Sequence, residues 1–337
     1  FVGNGPFVIS GWDGNSETWK LKKNDHYWDK EHVKLNEIDV QVVKEIGTGA
    51  NLFDNGDLDY TVLADTYALQ YKESKQAHFV PKAMVGYLSP NHRREITGNE
   101  HVRKAFLQAI DKETFAKEIL GDGSTALNGF VPANFAKNPD TGEDFRKENG
   151  DLLPYNIKEA QANWTKAKEE LGKDKIELEL ISADSAIAKK TIEFVQGQLQ
   201  QNLPGLTIKL KSLPLQNRLD LQTAGNYDLA FGTWTPDYAD PINFLEFYDS
   251  KSGLNTSGYN DSAYDAGLQK VRKDYANEPE KRWNELLSLE KTLIEKDAGV
   301  LPLFQGAIGY LKSDRLQGLQ VFSFGRTVSY RLAYVEE

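Results

Sequence analysis

Tyr227-Asp228-Leu229-Ala230-Phe231-Gly232-Thr233-Trp234-Thr235-Pro236-Asp237-Tyr238-Ala239-Asp240-Pro241 opens as a short apolar run of the kind that forms a buried strand. It ends in Trp, Pro, Asp and Tyr, which a strand core rejects. A buried strand that delivers an indole and a carboxylate to its exposed end suits a ligand-binding cleft. An ordinary strand-to-turn exit, with Trp234 in the core and Asp237 capping the turn, accounts for the same residues. The segment alone leaves both readings open. Upstream, Ile176-Glu177-Leu178-Glu179-Leu180 and Leu206-Thr207-Ile208-Lys209-Leu210 alternate as strands do. Between them Ala188, Ile192, Val195 and Leu199 recur at helical spacing, and a short helix spans about 215–223. With 227–234 as its third strand, the run reads β-α-β-α-β, an α/β lobe whose ligand chemistry belongs at a strand's C-terminal end.

Outward from this lobe the pattern changes. Phe7-Val8-Ile9, Thr18-Trp19-Lys20-Leu21 and Glu37-Ile38-Asp39-Val40-Gln41-Val42-Val43 predict antiparallel strands. A helix from Gly47 to Asn55 stops at Gly56, 66–74 reads as helix and 83–89 as strand. Val102, Phe106, Ala109 and Ile110 share one helical face, and a second helix over 112–120 ends at Gly121. Residues 122–155, rich in Gly, Asn, Pro and Asp, show little periodicity, and a loop this long inside a domain is usually functional or mobile. A polar amphipathic helix over 157–171 stops at Gly172. Helices at 261–276 and 279–296 and strands near 300–311 and 328–335 complete the chain.

A chain of 337 residues is long enough for two lobes. No apolar run reaches bilayer-spanning length. Forty Lys and Arg against 50 Asp and Glu leave a net charge of −10, spread along the chain, which argues against nucleic acid as a partner. Cys is absent, so disulfides, thiol catalysis and Cys-ligated metal are excluded. The opening Phe1-Val2-Gly3-Asn4-Gly5-Pro6, without Met, reads as the middle of a longer protein. His26 and His32, with Asp25 and Asp29, lack the spacing of a metal site. Asp54, Asp57 and Asp59 miss the 12-position calcium pattern and read as a turn. Gly47-Thr48-Gly49 and Gly121-Asp122-Gly123 lack the Lys and spacing of a phosphate loop. No cofactor is implied.

Several motifs, in order, resemble the oligopeptide-binding proteins of ABC importers, the extracellular solute-binding proteins of family 5. Gly5-Pro6-Phe7 with Trp12 resembles the family's GPY/GPF strand, Asn24-Asp25-His26-Tyr27-Trp28 its N-x-x-Y-W element, and Phe53-Asp54-Asn55-Gly56-Asp57-Leu58-Asp59 its G-E-I-D turn. Val102-Arg103-Lys104-Ala105-Phe106-Leu107-Gln108-Ala109-Ile110-Asp111-Lys112-Glu113 is similar to V-R-x-A-x-x-x-A-I-D-R. Ala160 to Gly172 resembles the A-x-x-L-L-x-x-A-G helix in degenerate form, and Tyr259-Asn260-Asp261-Ser262-Ala263-Tyr264-Asp265 resembles Y-S-N-P-x-F-D. Leu289-Glu290-Lys291 through Ala298-Gly299-Val300-Leu301-Pro302-Leu303 resembles E-x-x-L-x-x-D-A-P-x-I-P-L. The resemblance implies a periplasmic-binding-protein-like type II α/β fold. Residues 1–86 and 313–337 would form part of lobe one and 87–312 lobe three. The N-terminal segment, with its lipid-modified Cys, and the small second lobe would be absent. The acidic, Lys- and Asn-rich, Cys-free character looks Gram-positive.

By the same resemblance, Asp237 receives the α-ammonium group of a peptide, the peptide adds as a strand along Thr233 and Thr235, and Trp234 and Tyr238 border it. The ligand is an oligopeptide, the partner a membrane ABC permease and the location the cell surface, by a lipoprotein tether, or the periplasm. The family's basic residues for the peptide C-terminus do not carry over, since Gln222 and Phe231 stand in their places. Their loss fits longer peptides whose C-terminus is left free. Two alternatives remain: a carbohydrate-active enzyme such as a glycoside hydrolase, given the many Trp, Asp and Glu, or a peptide-sensing surface or adhesion protein.

Overall fold

The computed structural model describes residues 3–336, the side chain of Asp65 excepted, so Phe1 and Val2 of the opening segment lie outside the described residues. In chain order the main strands are β1 (Phe7–Ser10), β2 (Thr18–Lys23), β3 (Glu37–Gln41), β4 (Tyr60–Leu63) and β5 (Ala77–Pro90), then β6 (Thr125–Ala126), β7 (Ile176–Ala183), β8 (Leu206–Leu213), β9 (Leu229–Trp234) and β10 (Leu301–Lys312). Two compact units result: Phe1–Lys82, Gly121–Gly123 and Ala307–Glu337 form one, and Ala83–Leu120 with Ser124–Gly306 the other.

In the first unit β1, β2 and β3 make an antiparallel sheet in which Phe7 faces Lys23 and Trp19 faces Val40. Burial alternates along β2 and β3 with the period of two that the sequence shows. The helix Ile46–Asp54 hands over to the Asn55-Gly56 turn, and β4 pairs with the Gly309–Lys312 end of β10. Asp59 accepts from the Ser313 hydroxyl at 2.8 Å and from Arg315 Nε at 2.6 Å, and Asp54 accepts from Tyr71. These acids are turn anchors. The helix expected over 66–74 is confined to Asp65–Gln70. The strand expected near 328–335 is two short ones, Val328–Ser329 and Tyr334–Val335, because a turn closed by Ala333 N–H on the Tyr330 carbonyl intervenes.

In the second unit the strand order is β10-β5-β9-β7-β8. β7 and β8 are parallel over their whole length, from Ile176 beside Leu206 to Ala183 beside Leu213. β9 is antiparallel to β5, from Leu229 beside Pro90 to Trp234 beside Val85, but meets β7 only at Leu229 and Ala230. The helix Ala186–Asn202 crosses between β7 and β8 and packs on both. The helix Ile157–Leu171 starts where the Asn156 side chain accepts from Glu159 N–H and stops at Gly172, whose φ of 62° suits a residue without Cβ. Its largest apolar residue, Trp164, is buried against Phe106 and donates its indole N–H to the Pro204 carbonyl at 2.9 Å. The helices expected over 112–120, 261–276 and 279–296 each finish in a wider π turn, at Phe115–Leu120, Lys270–Asp274 and Thr292–Lys296.

The aperiodic stretch 122–155 is drawn inward. Glu290, fully enclosed, accepts from the backbone N–H groups of Phe130 and Val131 at 2.7 and 2.8 Å, from Arg146 Nη1 at 2.7 Å and from Asn149 Nδ2 at 2.5 Å. Gln305 exchanges two hydrogen bonds with Ala133, and Asp144 caps the short helix Phe145–Asn149. Sequence periodicity misses this because the anchors lie some 140–170 residues away along the chain. Lys112 is buried too, with its ammonium on the Leu127 carbonyl and Asn128 Oδ1. Burial pushes its pKa down to about 7, the Asp151 charge opposing and the Arg146 charge assisting.

Glu290→Gln, which leaves the Arg146 charge buried and unpaired, should cost roughly 3–5 kcal/mol, read as a lower urea midpoint; a midpoint equal to wild type would show the carboxylate to be dispensable. For Lys112 the unfolded chain takes up a proton near pH 10.5, whereas the folded chain takes it up only near 7. Stability from this group is therefore lost as pH falls through that window and is level below it. The stability of Lys112→Met relative to wild type should rise between about pH 10 and 7, and a pH-independent difference would refute the shift.

Candidate functional site

All five residues singled out by the sequence lie at the C-terminal end of β9, within the second unit. Past Ala230 β9 has no strand on its β7 side among the described residues. Alternate residues of an antiparallel strand turn their main-chain N–H and C=O away from its partner, so the stretch beyond Phe231 presents unpaired main-chain groups. Thr233 and Thr235 are exposed there, Trp234 is half-buried between them, and Asp237 and Tyr238 are exposed just beyond.

Asn243 holds the end of the strand in place. It is buried, and its side-chain oxygen accepts from Trp234 Nε1 and from the backbone N–H of Asp237, both at 3.2 Å. The Trp234 ring also stands edge-on to Phe247 at 5.1 Å. Thus the indole is pinned at the rim of the core. The turn that follows is capped by Asp240, which accepts from Ile242 N–H at 3.0 Å and pairs with Arg282 at 2.8 Å. Asp237 caps nothing. Its carboxylate has no hydrogen bond or ion pair with the described residues. Tyr238 gives its hydroxyl to Glu246, and burial together with that carboxylate pushes its pKa up to about 12.

Beneath β9 lies a polar layer that the sequence reading missed. Gly232 is buried, and a Cβ at that position would meet Arg218 Nη1 at 3.2 Å and the Tyr87 ring at 3.4 Å. Arg218 donates to the Phe231 carbonyl at 3.0 Å. Burial lowers the pKa of its guanidinium from the ordinary value, and no carboxylate offsets that. Tyr87, also buried, has its pKa raised to about 12. Gln222 lies one turn beyond Arg218 on the same helix, Leu215–Thr223, and is buried; the hydroxyl of Tyr227 donates to the Thr256 carbonyl at 3.3 Å. Phe231 stacks on Phe304 in the core. The available signal was the pattern of that helix, where Arg218, Leu221 and Gln222 fall on one face and the exposed Gln216, Asn217, Asp220 and Thr223 on the other.

Among the described residues no group of three or more His, Cys, Asp or Glu is arranged to hold a metal ion, and no helix is long and apolar enough to cross a membrane. His32 is turned onto Asp29, which also takes Arg331.

The family model for bacterial extracellular solute-binding proteins, family 5 Middle, matches residues 1–256. The chain is 31% identical over 350 residues to a dipeptide-binding protein of Lactococcus lactis, with 99% of this chain and 63% of that protein covered. It is 30% identical to the dipeptide-binding protein DppE of Bacillus subtilis, with 95% and 58% covered. The chain thus spans about three fifths of the length of these relatives. Among solved structures, Listeria monocytogenes OppA bound to peptide superposes with a TM-score of 0.80 at 38% identity, covering 99% of this chain and 65% of that one. The substrate-binding domain of an oligopeptide ABC transporter from Bacillus anthracis gives 0.81 at 36% identity, covering 99% and 65%. The fold is that of the periplasmic-binding-protein-like type II structures, and the chain belongs to the bacterial extracellular solute-binding proteins of family 5.

Proposed function

We propose that the protein captures oligopeptides outside the cell and hands them to a membrane ABC permease. The peptide adds as a strand along Thr233–Thr235, with its α-ammonium group on Asp237. The observation that carries this reading is an exposed carboxylate without a partner among the described residues, standing at the end of a strand edge that has no neighbour among them. A carboxylate that meets an ammonium in a partly dry cleft gains a charge-assisted hydrogen bond of roughly 1.5–3 kcal/mol. Every unblocked peptide carries that ammonium, and main-chain pairing is indifferent to side chains, so the pair of contacts selects peptides as a class. Trp234 walls a side-chain pocket and Tyr238 borders the ammonium site. No residue here is assigned a catalytic role.

The two units are read as part of lobe one and as lobe three of such a receptor, and the full-length protein as a lipoprotein on the surface of a Gram-positive cell. The relatives are named as dipeptide- and oligopeptide-binding proteins, which leaves the carbohydrate-active alternative without support. Capture for sensing uses the same cleft. The pheromone receptor PrgZ, whose structure superposes with a TM-score of 0.80 at 37% identity, keeps that variant in view.

Isothermal calorimetry on the full-length protein should show free peptides binding roughly 10- to 100-fold more tightly than their N-acetylated forms. Asp237→Asn should remove most of that difference while leaving the melting temperature unchanged. Equal affinities for free and acetylated peptides in the wild type would defeat the ammonium site. Asn243→Ala should cost roughly 1–3 kcal/mol of stability and speed solvent exchange of the Trp234 indole proton in NMR spectra. Unchanged exchange would mean that Asn243 does not hold the indole.

A further inference from the structure

A cleft of about 610 Å³ opens within the first unit, in the size range that small-molecule sites take. One wall is the turn His26-Tyr27-Trp28, and the other is the hairpin of the short strands Gln320–Val321 and Val328–Ser329. Buried Asn24 builds the first wall. Its side chain donates to the Gly5 carbonyl at 2.9 Å and accepts from His26 N–H at 3.0 Å, and its backbone N–H donates to the Pro6 carbonyl at 2.9 Å. Strand register builds the second, with Gln320 beside Ser329 and Phe322 N–H closing the loop on the Thr327 carbonyl at 2.9 Å. The ion pair between Asp29 and Arg331 joins the two.

This cleft turns aromatic rings toward water. Trp28 is 83% exposed, Phe322 is 41% exposed, and half-buried Tyr27 has its ring 5.7 Å from that of Trp28. Single apolar residues at a surface are ordinary, but a Trp this bare beside two further rings marks a place where something is bound. The charge points to what that is. In a chain with 50 Asp and Glu against 40 Lys and Arg, no carboxylate lines this cleft, whereas Arg326, Arg331 and His26 do. Asp29 lies outside the lining and is shared between Arg331 and His32. Arg326 makes no hydrogen bond or ion pair among the described residues, so its charge is uncommitted.

We infer that this cleft is a second binding site, for a small ligand that joins a flat ring to a phosphate, the chemistry of a nucleoside monophosphate. The ring lies on the Trp28 indole, with Tyr27 and Phe322 at its margins. A base stacked on an aromatic side chain gains roughly 5- to 150-fold in affinity. The Arg326 guanidinium takes the phosphate, whose oxygens match its fork of N–H donors. At an exposed site the ion pair alone is weak and screened by salt. Tied to a stacked ring it becomes an intramolecular contact, and the two gains multiply. The cleft belongs to the first unit and β9 to the second, so the inference stands apart from the peptide-receptor reading.

The test is titration of the full-length protein with adenosine monophosphate, adenosine and ribose phosphate, followed by Trp fluorescence and by calorimetry. Adenosine monophosphate should bind and quench fluorescence, and the other two should each bind at least roughly 5-fold more weakly. Trp28→Ala should lower its affinity to that of ribose phosphate, and Arg326→Gln to that of adenosine. Trp28→Phe, which keeps a ring, should recover part of the loss. Both side chains are exposed, so melting temperatures should match wild type. Absence of binding overturns the inference. So does adenosine or ribose phosphate binding as tightly as the monophosphate, or an affinity that neither substitution lowers. Displacement of the monophosphate by a peptide would put it in the peptide cleft and overturn the inference too. Peptide affinity unchanged in both variants supports a separate site.

Discussion

The enclosed carboxylate of Glu290 is the interaction on which the second unit depends. It takes four donors, two of them backbone N–H groups at Phe130 and Val131, and so converts a stretch with no periodicity of its own into a fixed part of the interior. A buried charge is tolerable only when it is paired and its lone pairs are filled, and both conditions hold here. The consequence reaches the site. Phe130, held by its own amide, stands edge-on to Tyr87 at 5.3 Å and to Tyr248 at 5.5 Å, and Tyr87 is the ring that lies beneath Gly232. The floor under β9 is therefore braced by a residue on a distant helix.

Above that floor the strand end is governed by what is left unpaired. β7 departs after Ala230, and Asn243 takes up the Trp234 indole and the Asp237 amide, so backbone and indole are settled while the Asp237 carboxylate is not. Arg218 is the converse case, a cation brought inside with one acceptor for its five donors. At this strand end an exposed carboxylate and an open main-chain edge stand together, with a buried guanidinium beside the strand.

Much of the architecture was legible in the chain itself. The alternation of Ile176–Leu180 and Leu206–Leu210, the helical spacing of Ala188, Ile192, Val195 and Leu199, and the stop at Gly172 mark elements that the structure contains. These signals are local: burial of one strand or helix face imposes a period of two or 3.6 on neighbouring residues. Where the period is lost, reading fails. Residues 122–155 look like an open loop because their anchors, Glu290 and Gln305, come from elsewhere, and 328–335 looks like one strand because the Tyr330–Ala333 turn carries no glycine or proline.

The site divides in the same way. Its strand, its exit and the unusual placement of Trp234 and Asp237 follow from the order of residues in one segment, since a strand core excludes what that segment ends in. Which of those groups is free does not. Asp237 could have capped the turn, but Asp240 and Asn243 do so instead. Arg218 could have been a solvated helix residue, but the packing of Leu215–Thr223 turns it inward beside Phe231. Sequence by itself determined which elements form and where the chemistry gathers, because those follow from contacts between near neighbours in the chain. Only the tertiary structure decided which polar groups are satisfied, because a hydrogen-bond partner is set by proximity in space.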